Sequence, residues 1–357
     1  MNWIRQHLRP FTLAALLIVA ASSLLLYSEP AQRTAGYDTA PPRVALVQIA
    51  SQQALDDGAN GIVERLAERG FVDGRTMNLT RFNAQGDLPT ANDIARRVTD
   101  GSFDLIITVS TAAAQTVANA NRQARIRHVF GIMTDPFSAG LGINREDPLD
   151  HPPYLSGYGS LVSTAEAIKL ARRLNPSMKR LGLLWHTAEA NSLVYAEAAR
   201  AACADLGIEL LEANADTGSA VAETAASLIS RGVDAVIVTG DVVVLSAIDA
   251  LINTATKGNV PVFTLIPPNV DKGAIFDLGA NYPAIGREIG NLAADVLEGR
   301  DLAGVPVENR APPSFMLNLQ ALQRFAPAWQ VTADLASTAD VLIDETGVRR
   351  NLNGNQD

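Results

Sequence analysis

The chain has 357 residues, of which 47% are hydrophobic and 19% are charged, so it is long enough for about two globular domains and is not disordered. Its net charge of -9 and the lack of any block of Lys and Arg argue against a nucleic-acid surface. Cys203 is the only cysteine, which excludes an internal disulfide. Because Cys203 lies on an apolar helical face, we expect an inert buried thiol.

The first 27 residues have the pattern of an export segment. Positively charged residues precede an uninterrupted apolar or small stretch over residues 11–27, and no acidic residue occurs before Glu29. This pattern predicts an N-terminal hydrophobic helix, which is either an uncleaved signal anchor or a cleaved signal peptide. We favour the anchor, since cleavage after the small residues 20–22 would leave several leucines exposed. Residues 28–42 contain three prolines and are expected to form a linker.

Short apolar strands alternate with amphipathic helices in residues 43–156. Continuous apolar strands of this kind predict a parallel sheet that is covered by helices on both faces. The expected strands are residues 44–49, 76–83, 105–109 and 128–133, and the expected helices are residues 53–69, 88–100 and 112–121.

The same alternation returns in residues 157–280, with helices that end in glycines placed as C-caps. Residues 274–281 and 314–319 are expected to cross between lobes, and a helix over residues 285–298 returns to the first lobe. We predict an α/β fold of two Rossmann-like lobes with parallel sheets, joined by a multi-strand hinge. The expected parts are an N-terminal lobe (43–156 and 281–305), a C-terminal lobe (157–280 and 306–348) and a polar tail (349–357).

Polar side chains follow several predicted strands at their carboxyl ends, where open α/β sheets bind ligands. Ser110 and Thr111 precede a helix and offer hydroxyls and free N–H groups to an anion such as a carboxylate, with a plain N-cap as the alternative. Asn191 and Ser192 repeat this arrangement in the second lobe. Asp241 is the preferred partner for a ligand ammonium group, in even competition with a helix cap.

The remaining candidate ligand residues also lie at strand ends, and they are Thr134, Asp135, Asn281 and Tyr282. Asp135 precedes a proline and is alternatively a turn residue. The sequence contains no nucleophile elbow, phosphate-binding loop or zinc-protease motif, and its four histidines lack the spacing of metal ligands. We therefore expect no catalytic residue, no cofactor and no metal ion.

The stretches that carry a family resemblance are residues 46–50, 54–56, 70–74, 83–87, 111–115, 134–136, 139–141, 189–192, 318–321 and 333–334. In combination they resemble the TrpX-like substrate-binding proteins of bacterial ABC transporters. The resemblance extends over about residues 43–348 and implies the type I periplasmic binding-protein fold, an amino-acid-like ligand and an ABC permease as partner. The chain departs from the family at Gln52 and Gln53, where His-Pro is common, and at Trp185, so ligand identity does not follow. Gln52 joins the candidate ligand residues.

The sequence thus predicts a monomeric solute-binding protein at the periplasmic face of the bacterial inner membrane. It would capture a small carboxylate or zwitterion between two lobes and deliver it to an ABC permease. One alternative is a periplasmic sensory protein that signals to a membrane receptor. The other is an extracytoplasmic enzyme with two carboxylates across the cleft.

Overall fold

A computed structural model describes residues 40–351, which hold two β-sheets and the helices that cover them. The predicted export segment, most of its linker and the end of the predicted tail lie outside these residues. Both sheets belong to one compact unit that begins at Pro42. Within residues 40–351, no helix is long and apolar enough to cross a membrane.

Fourteen strands are assigned in this part of the chain. They are β1 (Arg43–Gln48), β2 (Asn78–Asn83), β3 (Leu105–Val109), β4 (His128–Met133), β5 (Leu155–Gly159), β6 (Arg180–Trp185), β7 (Glu209–Asn214), β8 (Ala235–Val238), β9 (Val262–Thr264), β10 (Phe276–Ala280), β11 (Glu308–Asn309), β12 (Pro313–Asn318), β13 (Val341–Ile343) and β14 (Arg349–Asn351).

Eleven α-helices connect or follow these strands within residues 40–351. They are α1 (Gln53–Glu68), α2 (Leu88–Val98), α3 (Thr111–Ala124), α4 (Thr164–Leu174), α5 (Ala190–Leu206), α6 (Val221–Ser230), α7 (Val242–Ser246), α8 (Ile248–Lys257), α9 (Tyr282–Leu297), α10 (Leu319–Gln323) and α11 (Ala333–Ala336).

The first sheet has six parallel strands in the order β11-β5-β4-β3-β1-β2. The second has eight strands in the order β14-β13-β12-β10-β9-β8-β6-β7, and its antiparallel pairs are β10 with β12 and β13 with β14. Every residue of β3 and β4 is buried, as expected where helices cover both faces of a parallel sheet. The predicted α/β class with parallel sheets is confirmed.

The chain passes between the sheets after β5, after β10 and after β11. The sequence placed the first lobe boundary between residues 156 and 157, but β5 continues in the first sheet to Gly159. Gly157 explains this pairing, because a Cβ there would lie only 2.0 Å from the Phe130 carbonyl oxygen of β4. The short β11, which we expected within the second lobe, pairs with β5 and so extends the first sheet by one strand. Residues 349–351, expected as the start of the tail, form β14 against β13.

Helices α1 and α9 approach each other through glycines. A Cβ on Gly286 would lie 2.1 Å from the Gly58 carbonyl oxygen, and a Cβ on Gly61 would lie 2.5 Å from the Pro283 carbonyl oxygen. A real Cβ atom could not lie this close to a carbonyl oxygen, so the two backbones can approach each other only because these positions are glycines. This crossing holds α9 on the first lobe although the helix follows a strand of the second sheet.

A buried carboxylate orders the loop after β9. Asp277 of β10 accepts hydrogen bonds from the Thr264 hydroxyl (2.6 Å) and from the backbone N–H groups of Asn269 (2.6 Å) and Val270 (2.8 Å). Complete burial raises the pKa of Asp277 to about 7, against the opposing effect of these three donors, and the nearby charge of Asp271 adds to the rise. The loop after β9 is therefore held by hydrogen bonds to a carboxyl group that titrates near neutral pH.

We expect Gly286→Ala to destabilise the protein by about 1–3 kcal/mol, because overpacking the α1–α9 crossing exceeds the gain of up to about 1 kcal/mol in helix propensity. Urea unfolding measures this difference. Gly304→Ala is the matched control, since a Cβ at that position meets no atom within 4 Å. A Gly286→Ala variant as stable as the wild type would contradict the close crossing.

We expect the pH dependence of stability to decrease in Asp277→Asn. Folded Asp277 keeps its proton up to about pH 7, whereas an unfolded aspartate loses it near pH 4. Its contribution to stability is therefore complete below about pH 4 and is lost as the pH rises through about 7. Unfolding free energies between pH 4 and 8 test this, with exposed Asp334→Asn as control. Parallel curves for the wild type and Asp277→Asn would contradict the assignment.

Candidate ligand site between the lobes

The carboxyl ends of the parallel strands in the two sheets face a shared cavity of about 50 Å³. Apart from Ile132 of β4, each part of its wall comes from a segment that follows β1, β3, β4, β5, β6, β8, β9 or β10. The topology therefore assembles the site, as is general for open α/β sheets. The lining residues are Gln52, Ala54, Leu55, Ser110, Thr111, Ala112, Ile132, Thr134, Ser160, Asn191, Tyr195, Gly240, Val242, Leu245, Ile266 and Tyr282.

The amino terminus of α3 forms one side of the cavity. Ser110 is its N-cap and accepts a hydrogen bond from the N–H of Ala113 at 3.3 Å. The N–H groups of Thr111 and Ala112 have no partner inside the helix, because the first turn of a helix lacks them. The Thr111 hydroxyl accepts from the N–H of Thr134 at 3.2 Å, which ties α3 to the end of β4. This end of α3 suits an anionic group.

Two lining residues have strained backbones. Ser110 has φ 101° and ψ 159°, a region that glycine normally occupies, and Ile132 has φ 50° although it is β-branched. Ile132 lies where the pairing of β4 with β5 shifts its register. Each such conformation costs on the order of 1–3 kcal/mol, and strain of this kind concentrates at ligand sites.

Asn191 and Tyr195 of α5 form the opposite side. The Asn191 Nδ2 atom donates to the Gly240 carbonyl oxygen at 2.6 Å and to Glu189 Oε2 at 3.1 Å. Its Oδ1 atom accepts no hydrogen bond from residues 40–351 and is left for a donor in the cavity. Burial raises the pKa of Tyr195 to about 12, and the nearby side chain of Thr134 in the other lobe opposes this rise.

Asp241 lies behind the wall rather than in it, and its exposed fraction is 0%. Its Oδ2 atom accepts from the N–H of His186 (2.6 Å) and from the Ser192 hydroxyl (2.7 Å). Its Oδ1 atom accepts from the N–H of Val244 at 2.8 Å and so caps α7. The geometry therefore favours the capping alternative for Asp241, and it places Ser192 in the same buried network.

Glu189 also caps α7, accepting from the N–H groups of Val242 (3.0 Å) and Val243 (3.2 Å). Burial raises the pKa of Glu189, and the nearby charge of Asp241 raises it further. Both carboxylates beside the cleft are thus occupied by backbone donors. Helix α7 offers no free N–H groups to a ligand for the same reason.

Two further sequence candidates lie outside the cavity wall. Asp135 accepts from the N–H of Phe137 at 3.1 Å and pairs with Arg145 at 2.6 Å, as a turn residue does. Asn281 caps α9 by accepting from the N–H of Ala284 at 3.0 Å. Of the ten candidates, the structure brings Gln52, Ser110, Thr111, Thr134, Asn191 and Tyr282 together around the cavity.

Sequence reasoning missed Tyr195 and Ser160. Tyr195 lies four residues after Asn191 on α5, so helical spacing alone puts both on one face. Ser160 directly follows β5, a glycine-rich strand without the apolar run by which the other strands were found.

Among residues 40–351 no cluster of three potential metal ligands exists. Burial lowers the pKa of His128 to about 3, and its ring bonds to Thr108 at 2.8 Å.

The chain is similar to known proteins over most of its length. The model of the family described as ABC transporter substrate binding protein matches residues 43–331. A tyrosine-binding protein of Clostridioides difficile is 27% identical over 280 residues, which are 78% of this chain and 79% of that protein. A conserved domain protein of Vibrio cholerae has a TM-score of 0.80 at 25% identity, covering 85% of this chain and 100% of its own.

An ABC domain from Streptococcus pneumoniae in complex with L-Trp has a TM-score of 0.78 at 21% identity, covering 85% of this chain and 100% of its own. Together with more distant solute-binding proteins, it confirms the type I periplasmic binding-protein fold. The family match spans most of the chain and agrees with the resemblance seen in the sequence. The chain therefore belongs to the ABC transporter substrate-binding proteins.

Proposed function

We propose that the protein binds a small carboxylate or zwitterion of the amino-acid type in the interlobe cavity and delivers it to an ABC permease. The observation that carries this proposal is the amino terminus of α3, with Ser110 and Thr111, facing Asn191 across a cavity built by both lobes. The ligands in the names of two relatives, tyrosine and L-Trp, support the amino-acid class.

The ligand carboxylate would lie against α3. Two hydroxyls and the N–H groups of Thr111 and Ala112 can donate to its oxygens, and the helix dipole favours negative charge at this end. Ser110 can cap the helix with one lone pair and still donate its proton to a ligand. No charged side chain competes, because none of the described residues that line the cavity is Asp, Glu, Lys, Arg or His.

The ligand amino group would lie on the second lobe. The sequence favoured Asp241 for this role, but the Asp241 oxygens are buried with three donors. Asn191 lines the cavity on this lobe, and its Oδ1 atom, which accepts no hydrogen bond from residues 40–351, can accept from an amino group. A neutral amide attracts an ammonium group less than a carboxylate does, so we expect the carboxylate end to dominate affinity.

Binding without chemical change fits the same lining. The described wall residues include no cysteine and no side chain suited to general acid or base catalysis near neutral pH, apart from two tyrosines. Burial raises the pKa of both Tyr195 and Tyr282, so neither is a base there. The cavity can hold and orient a ligand but has no activated nucleophile.

Delivery would depend on the closed arrangement of the lobes. Gln52 Nε2 of the first lobe donates to the Val242 carbonyl oxygen of the second at 2.8 Å, and Tyr195 of the second lobe lies near Thr134 of the first. A ligand held by both walls would shift the population to this closed form, which a permease could then recognise. One chain supplies both walls, so the functional unit would be a monomer.

We expect calorimetric titration to show binding of L-amino acids and of simple carboxylates, but not of amines that lack a carboxylate. Ser110→Ala combined with Thr111→Ala should weaken that binding by about 2–4 kcal/mol, because bonds to a charged group are lost. The matched control is Ser163→Ala. Ser163 caps α4 with the same 3.3 Å bond, to Glu166, and lies outside the cavity.

Two outcomes would contradict this assignment. Unchanged affinity in the Ser110 and Thr111 double variant, at preserved stability, would assign both hydroxyls to capping alone. Binding of a sugar or a polyamine with no response to any carboxylate would exclude the ligand class while leaving the fold intact.

The place of action would be the periplasmic face of the inner membrane, with the amino-terminal segment as an uncleaved anchor. Its support is the sequence pattern of positive charge followed by the apolar residues 11–27. We expect mass analysis of protein purified from its native membrane to find the whole segment attached. A mature start at residue 23 or later would identify an ordinary signal peptide instead.

A further inference from the structure

A second cavity of about 230 Å³ adjoins the ligand cavity. Its wall also comes from both lobes, with residues 51–54 on one side and residues of α7, α8 and the loop after β9 on the other. Four residues line both cavities and so form the partition between them: Gln52, Ala54, Leu245 and Ile266. We call the ligand cavity of about 50 Å³ the inner cavity and the cavity of about 230 Å³ the outer cavity.

Gln52 differs from the other three partition residues because its side chain bonds across the cleft. It occupies the N-cap position of α1 but makes no side-chain capping bond. Its Nε2 atom instead donates to the Val242 carbonyl oxygen at 2.8 Å, on a residue that lines the inner cavity only. This bond holds a long and otherwise flexible side chain between the two cavities.

The inner cavity is small. Its volume of about 50 Å³ is well below the roughly 150 Å³ of an engineered cavity that admits benzene. A cavity of one third of that size leaves no room for an aromatic side chain beside the carboxylate and the amino group of a ligand. The space for a larger side chain lies on the other side of Gln52.

We propose that Gln52 is the specificity-determining gate of the cleft: carboxylate ligands with extended side chains must displace it and reach into the outer cavity. This inference rests on the proposed function. The outer wall suits such a side chain, because Ile248, Pro267 and Pro268 offer apolar surface. Exposed Asp249 and Lys272 offer polar groups to a side-chain tip.

The test compares small and large ligands in one gate variant. Calorimetry on the purified full-length protein would measure the dissociation constants of L-alanine and L-tryptophan for the wild type and Gln52→Ala. We expect the affinity ratio of tryptophan to alanine to rise about two- to tenfold, since a hydrogen bond of ordinary strength no longer has to be broken. Gln52→Asn, shorter by one methylene, should shift the ratio in the same direction by less.

Gln323→Ala is the matched control, because Gln323 is exposed at the end of α10 and lines neither cavity. The affinity ratio of tryptophan to alanine distinguishes a gate from a general effect on lobe closure. A general effect would change the affinities for both ligands by the same factor and leave the ratio unchanged. An unchanged ratio in both Gln52 variants, with binding intact, overturns the gate alone. Failure of the wild type to bind any amino acid or simple carboxylate overturns the proposed function and the gate together.

Discussion

The crossing of α1 and α9 positions two residues of the ligand cavity wall on the first lobe. Each helix starts at the cleft, α1 directly after Gln52 and α9 at Tyr282, and both residues line the cavity. Glycines at the crossing let the backbones touch, as the 2.1 Å from a Cβ on Gly286 to the Gly58 oxygen shows. Helix α9 follows β10 of the second sheet, so this contact also fixes where the chain returns from the second sheet to the first lobe.

The acidic side chains near the cleft are occupied by backbone donors. Glu189 and Asp241 together satisfy three N–H groups at the start of α7, and Asp277 satisfies two in the loop after β9. A buried carboxyl group without hydrogen-bond donors would be costly, so these hydrogen bonds offset part of the cost of burying it. The cavity is left with hydroxyls, amides and the free N–H groups of α3, which recognise a ligand through hydrogen bonds and a helix dipole.

Strain and packing are linked at the same place. Ser110 and Ile132 both have positive φ, and the Ile132 side chain packs over Gly58 of α1, where a Cβ would lie 1.8 Å from Ile132 Cδ1. The unfavourable backbone of Ile132 is thus held by contacts with the helix crossing. A ligand site supported in this way keeps its shape before the ligand arrives, which lowers the cost of ordering it on binding.

The sequence by itself determined the α/β class, four of the six strands of the first sheet and five of the residues around the cavity, because these depend on local periodicity and on the rule that ligands lie beyond strand ends. The family resemblance added Gln52 to these residues. The sequence did not reveal β5, whose glycines pair only because β4 offers a surface for close approach. The role of Asp241 was open for a similar reason: one residue type serves as helix cap or ligand partner, and only the positions of His186 and Ser192 decide between them. Tertiary structure alone brought Gln52 within 2.8 Å of Val242, 190 residues away, because no local pattern encodes which carbonyl a flexible amide meets across a cleft.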